Sequence, residues 1–228
     1  MAGYKVAWLL WPDTGTVTPA EVVGFRGPHL LLMPLGKLRG IRPGCEVTAT
    51  GGPLRVMVGD QLPGRVLNGL GQPIDGLPPI PADHAVDLDL PPPHPLRRQR
   101  IHQSFRSGVK AIDTFIPCGR GQRLGIFAGS GVGKSTLLGM MASEAEADVN
   151  VIALIGERGR EVREFLEKDL DEAGRRKSIV VVATSDESPL VRVKGAFLAM
   201  AIADLGSDRG QKMFFMMNVV APFMKAQR

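Results

Sequence analysis

The sequence is short of cysteine and of aromatic residues, and it has no long apolar run. Its two cysteines, Cys45 and Cys118, lie far apart with no CxxC spacing and no histidine partner, which argues against a disulfide framework and a zinc site. Aromatic residues make up only 5% of the chain and form no regularly spaced platform for stacking nucleic-acid bases. The apolar runs at residues 6–11 and 196–203 are too short to span a bilayer. We therefore expect a cytoplasmic protein.

The sequence also lacks a strong excess of charge of one sign. Twenty-eight basic residues stand against 23 acidic ones, which gives a net charge of +5. This excess raises nucleic acid or an anionic membrane as a partner, but the basic residues occur in short scattered clusters rather than in one tract, as on an ordinary solvated surface. With 44% hydrophobic residues, 228 residues can bury a core in one or two domains.

The pattern along the chain changes near residue 90. Before it, short β-like runs alternate with turns that contain glycine or proline, which predicts a small β-barrel or sandwich. These runs are residues 20–25, 29–34, 45–50 and 54–59. Seven prolines between Pro78 and Pro95 predict an extended connector. We therefore predict a partial amino-terminal β-barrel domain at residues 1–77, a proline-rich connector at 78–98 and a second domain at 99–228.

The second domain alternates apolar runs with amphipathic segments such as residues 161–174. The candidate strands are residues 124–127, 149–155, 179–183 and 213–217. Because these runs are apolar throughout, they predict a parallel sheet covered by helices on both faces. Ligands of such sheets bind at the carboxyl ends of the strands, where Glu157, Asp186 and Asn218 fall.

The segment AGSGVGKST at residues 128–136 has the features of a phosphate-binding loop. It follows an apolar run and opens a helix-like segment, and it departs from the GxxxxGK[ST] pattern only at Ala128. The alternative is an ordinary glycine-rich turn that happens to be followed by a lysine. The order of apolar run, loop and helix-like segment argues against this alternative. Backbone N–H groups of such a loop surround the phosphates, while Lys134 contacts the β- and γ-phosphates and the Ser135 hydroxyl binds magnesium. The predicted nucleotide-binding residues are Gly129, Ser130, Gly131, Val132, Gly133, Lys134, Ser135 and Thr136.

Hydrolysis needs further groups beyond the loop. Glu157 lies two residues past an apolar strand, where a carboxylate can polarise the attacking water, and Arg158 can neutralise charge on the phosphoryl oxygens. Alternatively, Glu157 stabilises the first turn of the following helix. Asn218 stands where an apolar strand should end in aspartate. An asparagine can hydrogen-bond a metal-bound water without adding negative charge, so we expect weaker magnesium binding and catalysis.

Long segments of the chain resemble the export ATPase family of bacterial flagella and type III secretion systems, which is homologous to the catalytic subunits of rotary ATP synthases. The matching segments are VVGFRG, LLMPLG, GRVLNGLGQPIDG, PPPHPLRRQRI, GVKAID, GRGQRLGIFAGSGVGKSTLLGMMA, VIALIGERGREVREF and VVVATSD. Of the two branches, the flagellar one is the better match, because of PHPLRR and AGSGVGKS. The resemblance implies an α/β fold, in which a RecA-like phosphate-loop NTPase core, incomplete here, is preceded by a small partial β-barrel domain.

The resemblance also implies a function. The protein would act as a homo-hexameric ATPase that uses ATP and Mg²⁺ to drive protein export. Its implied partners are the export gate, a regulatory stalk-like protein and chaperone–substrate complexes, with peripheral association to the membrane-embedded apparatus and no nucleic acid. By the family pattern, Lys134 and Ser135 bind phosphate and magnesium, Glu157 is the catalytic carboxylate, and Arg158 lies beside the γ-phosphate. Asp186 is implied to lie near the site or at a subunit contact.

Two regions depart from the family pattern. The segment NVVAPFMKAQR stands where the family reads DSVTRFAMAQR, and the first 17 residues do not resemble the family's opening strands. Family members also continue past the position of Arg228, so we expect a truncated chain. Three hypotheses remain: an ATP-hydrolysing export motor, a nucleotide-binding remnant that does not hydrolyse, and a hexameric nucleic-acid translocase that only the positive charge supports.

Overall fold

The computed structural model describes residues 6–10, 17–36, 44–81, 84–88, 94, 96, 100–129 and 131–218. Its amino-terminal part is a four-stranded antiparallel sheet in the order β3-β2-β1-β4. These strands are β1 (Val6–Leu10), β2 (Val17–Arg26), β3 (His29–Pro34) and β4 (Glu46–Ala49). The sequence-based expectation of short strands in this region is confirmed, and β3 coincides with its expected run.

The carboxyl-terminal part is built on a second sheet, in the order β12-β10-β11-β6, whose neighbours are all parallel. Its strands are β6 (Val66–Asn68), β10 (Val149–Ile155), β11 (Ser178–Ala183) and β12 (Met213–Met217). Two small antiparallel pairs flank it: β5 (Arg55–Val58) with β7 (His84–Asp87), and β8 (Ser104–Phe105) with β9 (Cys118–Gly119). The expected strands at 149–155, 179–183 and 213–217 are confirmed.

Helices cover both faces of the parallel sheet. They are α1 (Lys110–Phe115), α2 (Lys134–Glu144), α3 (Gly159–Glu164), a π-helical turn (Phe165–Asp169), α4 (Glu172–Arg176) and α5 (Pro189–Asp208). Successive side chains of a strand point to opposite faces. In β10, Val151 and Ala153 therefore pack in one cluster with α5, whereas Ile152 and Leu154 pack in the other with α2. No described helix is both long enough and apolar enough to cross a membrane.

Residues 124–127, expected to be a strand, form none in the structure. Phe127 is 98% exposed, and within this run only Ile126 packs against buried clusters. A short apolar run becomes a strand only where a neighbouring strand completes its hydrogen bonds. In the part of the chain that the structure describes, β12 pairs with β10 alone, so no ladder includes this run. The run precedes the phosphate loop but lies outside the sheet.

The opposite edge of the sheet is occupied by β6, which belongs to the expected amino-terminal domain. Asp75 anchors this segment, because it accepts hydrogen bonds from the Arg65 guanidinium at 2.7 and 3.0 Å and from the Val66 N–H at 3.0 Å. Nearby, Val56 and Leu67 lie in the same cluster as α5. The boundary at residue 77 stays a prediction, and this packing favours an earlier one, near residue 51.

A mostly buried ion pair joins the amino-terminal sheet to the core. The ammonium of Lys194, on α5, contacts Glu21 Oε1, on β2, at 2.8 Å, and the side chains are 13% and 4% exposed. Removing one partner of a buried pair leaves an uncompensated charge, so the pair fixes where the two parts meet.

Helix α2 rests directly on the π-helical turn through Gly139. A Cβ atom added to Gly139 would lie 2.0 Å from the Asp169 carbonyl oxygen, far inside van der Waals contact. Two hydroxyl–carboxylate hydrogen bonds flank this contact: Thr136 Oγ1 donates to Asp169 Oδ1 at 3.0 Å, and Ser143 Oγ donates to Asp171 Oδ1 at 2.6 Å. The glycine therefore sets the distance between the two elements.

We expect Gly139→Ala to destabilise the protein by about 2–3 kcal/mol, because the backbone of α2 or of the turn must shift to admit the methyl group. Gly159→Ala is the matched control, since a Cβ at Gly159 in α3 meets nothing within 4 Å. Alanine there should be neutral or stabilising by up to about 1 kcal/mol. Urea unfolding of both variants measures the difference. Equal free energies of unfolding for Gly139→Ala and Gly159→Ala would show that α2 packs less closely against the Asp169 carbonyl group than described.

Candidate functional site

The carboxyl ends of three parallel strands meet at one edge of the sheet. Around the end of β10, the Gly156 N–H donates to the Ala183 carbonyl at 2.6 Å, and the Asn218 N–H donates to the Ala153 carbonyl at 3.1 Å. These bonds connect the end of the central strand to the ends of β11 and β12. The side chains that follow the strands are therefore held together at this edge, as the parallel arrangement predicts.

The phosphate loop enters α2 through a left-handed backbone conformation that glycine adopts without strain. Gly131 and Gly133 have φ angles of 75° and 92°, and Gly133 immediately precedes the helix. No side chain of the described residues caps the amino end of α2. Its first N–H groups are therefore available to an anion. Lys134 and Ser135 are half-buried in the first turn, Thr136 is exposed, and Ser130 lies outside the described residues.

Glu157 is the central titratable group of the site. Burial, together with a hydrogen bond to Glu161 and the charge of that residue, raises the pKa of Glu157 to about 7. The Lys134 charge and a hydrogen bond from Asn218 act in the opposite direction. The structure thus brings Lys134, Glu157 and Asn218 together from three separate elements. A carboxyl group with a pKa near neutrality can accept a proton at physiological pH.

Glu161 takes the helix-capping role that the alternative interpretation gave to Glu157. In the first turn of α3, Glu161 Oε2 accepts a hydrogen bond from the Arg158 backbone N–H at 3.3 Å. The Arg158 side chain is 73% exposed, and its Nη1 lies 4.0 Å from Glu161 Oε1. Glu157 instead receives its hydrogen bond from Asn218. The geometry therefore favours a role for Glu157 within the site.

The amide nitrogen of Asn218 contacts Glu157, whereas its amide oxygen makes no such contact. Its Nδ2 donates to Glu157 Oε1, while its buried Oδ1 has no hydrogen-bond partner among the described residues. An orphaned buried acceptor is costly, so it favours a bound donor such as a metal-coordinated water. The described residues contain no group of three His, Cys, Asp or Glu side chains that could hold a metal. A magnesium ion here would therefore rely on the Ser135 hydroxyl, on water bound by Asn218 and on phosphate oxygens.

Some site residues were missed by reasoning from the sequence. The capping position of Glu161, three residues after Arg158, has the spacing of a capping box, but an arginine at the N-cap position does not match the sequence pattern of one. Asp169 contacts the loop helix across 33 positions of sequence, and no local pattern indicates such a contact. Asp186 is exposed after β11, and its role stays a prediction.

Comparisons with known proteins agree with this architecture. The family model "ATP synthase alpha/beta family, nucleotide-binding domain" matches residues 108–228, and "ATP synthase alpha/beta family, beta-barrel domain" matches residues 10–51. The flagellum-specific ATP synthase of Bacillus subtilis is 52% identical over 216 residues, which are 95% of this chain and 49% of that protein. The type 3 secretion system ATPase of Xanthomonas euvesicatoria is 49% identical over 224 residues, 98% of this chain and 51% of that protein.

A solved structure is similar to this chain over its whole length. The assembled ATPase EscN of the enteropathogenic E. coli type III secretion system, in complex with its central stalk EscO, superposes with a TM-score of 0.89 at 39% identity. The match covers 100% of this chain and 58% of that one. The chain spans about half the length of the relatives it matches. From its strand order, its loop and these matches, we conclude that the chain belongs to the ATP synthase alpha/beta family.

Proposed function

We propose that this chain binds ATP with magnesium at residues 128–136 and forms part of an ATPase that drives flagellar type III protein export. The convergence of Lys134, Glu157 and Asn218 at the strand ends carries the proposal, because it joins a phosphate-binding loop to a proton-accepting carboxyl group. The flagellar and secretion relatives support ATP as the nucleotide and export as the process.

The nucleotide phosphates lie against the amino end of α2. Uncapped N–H groups of the first turn and the positive end of the helix dipole attract them. The Lys134 ammonium contacts the β- and γ-phosphates, and the half-buried position of this side chain strengthens the attraction. Ser135, next in the same turn, would hold the metal through its hydroxyl.

The residues present fit a magnesium ion, since Ser135 offers a hydroxyl and the buried Asn218 Oδ1 has no partner within the described part of the chain. Magnesium, when bound, neutralises negative charge on the β- and γ-phosphate oxygens. Asn218 would hold a metal-bound water through Oδ1 and would contribute no charge of its own. We therefore expect weaker metal binding than an aspartate at this position would give.

Glu157 acts on the attacking water. In its ionised form it orients the water and accepts a proton from it, and the pKa near 7 places this form within reach at neutral pH. Arg158 follows directly in the chain, and its exposed guanidinium can reach the phosphoryl oxygens as negative charge develops there.

A second candidate function is nucleotide binding with little hydrolysis, and the contact between Asn218 and Glu157 favours it. The Asn218 amide occupies one of the two carboxylate oxygens of Glu157. A water must then share that oxygen with the amide or use the other oxygen. Binding through the loop is unaffected, because the contact does not involve Lys134 or Ser135.

The assembly and partners are proposed from the relatives. Solved structures show EscN assembled and EscN with its central stalk EscO. By this likeness we propose a homo-hexamer that works with a stalk-like regulator, the export gate and chaperone–substrate complexes. Peripheral association with the membrane-embedded apparatus and a cytoplasmic location belong to the same proposal.

We expect Lys134→Ala to weaken binding of a fluorescent ATP analogue, in the presence of magnesium, by about tenfold or more, because a charge-assisted contact to phosphate is lost. Titration by fluorescence anisotropy measures the dissociation constants. Lys110→Ala, which removes a lysine on α1, is the control and should bind as the wild type does. Equal binding by Lys134→Ala and the wild type would remove the basis for a phosphate site at α2.

Turnover of ATP by the chain should be slow, and Asn218→Asp should not restore it at pH 7. The new carboxylate would remove the hydrogen bond to Glu157 and place a second negative charge beside it, which raises the pKa of Glu157 further. Phosphate release assays on the wild type and the variant check this. Fast turnover in Asn218→Asp would show that the amide alone limits hydrolysis.

The proton-accepting role of Glu157 also predicts a dependence of stability on pH. The pKa of Glu157 is about 7 in the folded chain and about 4.3 in an unfolded one. Between these values the folded state binds more protons, so the free energy of unfolding falls as pH rises through this window. Glu157→Gln removes this loss, and the variant should gain stability over the wild type between pH 5 and pH 8.

Urea unfolding at several pH values measures this gain. Glu164→Gln, on the exposed side of α3, is the control that should show no such gain. A constant difference between Glu157→Gln and the wild type would contradict the raised pKa.

A further inference from the structure

We infer that Asp169 is a positioning residue for the phosphate loop: its carboxylate holds the first turn of α2, and with it Lys134 and Ser135, in register with Glu157. The inference rests on the proposed function, since it assigns to Asp169 the placement of the groups that contact the nucleotide. Asp169 itself touches no reacting group in this assignment.

The first observation is the hydrogen bond at the start of α2. Thr136 Oγ1 donates to Asp169 Oδ1 at 3.0 Å. Thr136 directly follows Ser135 and comes two residues after Lys134 in the same helical turn. Among the described residues, no side chain caps this end of α2. The bond to Asp169 thus ties the first turn to the body of the protein.

The second observation is that Asp169 is itself firmly placed. Its carbonyl oxygen lies so close to α2 that only a glycine fits at position 139. At the other end of the π-helical turn, Phe165 is buried in one cluster with Leu138 and Ala142 of α2. Backbone contact and apolar packing together hold the backbone of Asp169 in place against α2.

The third observation is the covalent path from Asp169 to Glu157. Helix α3 begins at Gly159, two residues after Glu157, and passes without a break into the π-helical turn that ends at Asp169. One continuous helical segment therefore begins just after Glu157 and ends at the partner of Thr136. This path connects the catalytic carboxyl group to the loop helix within 12 residues of sequence. Single-turn π segments inside helices are frequent at functional sites.

The chain contains a matched contact of the same chemistry farther from the loop. Ser143 Oγ donates to Asp171 Oδ1 at 2.6 Å, seven residues along α2 from the Thr136 contact. It also ties α2 to the segment after α3, but it does not lie in the first turn. Loss of this second bond costs stability without altering the loop.

The test compares Asp169→Ala and Thr136→Val with Ser143→Ala. Hydrogen–deuterium exchange of the peptide spanning residues 129–137, in nucleotide-free protein, reports on the loop alone. We expect exchange about 3- to 10-fold faster in the first two variants, the factor that one ordinary hydrogen bond supplies, and little change in Ser143→Ala. The dissociation constant of a fluorescent ATP analogue with magnesium should rise by a similar factor in the same two variants.

A conservative variant separates positioning from a general loss of stability. Asp169→Asn keeps an acceptor oxygen, so it should retain exchange and affinity near those of the wild type. Thr136→Ser keeps the hydroxyl, so loop exchange in nucleotide-free protein should stay near that of the wild type. The double variant Thr136→Val with Asp169→Ala should be no worse than either single one, because both remove the same bond.

Unchanged exchange in Asp169→Ala, or equal acceleration in Ser143→Ala, would overturn the inference. Additive effects of Thr136→Val and Asp169→Ala on affinity would also overturn it, since Thr136 would then act on the nucleotide independently. Absence of ATP binding by the wild type would refute the proposed function instead. The exchange measurement would still decide whether Asp169 holds the loop.

Discussion

Strand β10 is the element on which the rest of the structure depends. All seven of its residues are buried, and it is hydrogen-bonded on both sides, to β11 and to β12. Its two faces contact different helices, so neither its register nor its orientation can change without disturbing both apolar clusters. Residues that directly follow the carboxyl end of β10 are held in position by the same packing. A carboxyl group at position 157 is therefore placed by packing, although it lies outside the strand.

The balance of charge in the site follows from this placement. Burial disfavours an ionised Glu157, and the carboxylate of Glu161 disfavours it further, whereas Lys134 and the amide of Asn218 favour it. The opposing effects leave a group that titrates near neutrality rather than one that is locked in either state. The neutral amide of Asn218 lowers the pKa of Glu157 through one hydrogen bond. A carboxylate at position 218 would instead raise that pKa.

Several parts of this architecture could be predicted from sequence, for identifiable physical reasons. The loop at residues 128–136 and the strands β10, β11 and β12 have local signals, namely glycines next to a lysine and apolar runs of strand length. The run at 124–127 has the same apolar signal but forms no strand, because a strand needs a hydrogen-bonding neighbour that local sequence does not specify. The contact of β6 with β11 and that of Asp169 with Thr136 join distant segments, so only the folded chain reveals them.

The ion pair between Glu21 and Lys194 has a consequence for how the two sheets can move. Because both side chains are mostly buried, salt screens their attraction little while the contact is closed. Opening the contact would hydrate both charges at once, so intermediate separations are the least favourable ones. The interface should therefore switch between closed and fully open rather than slide.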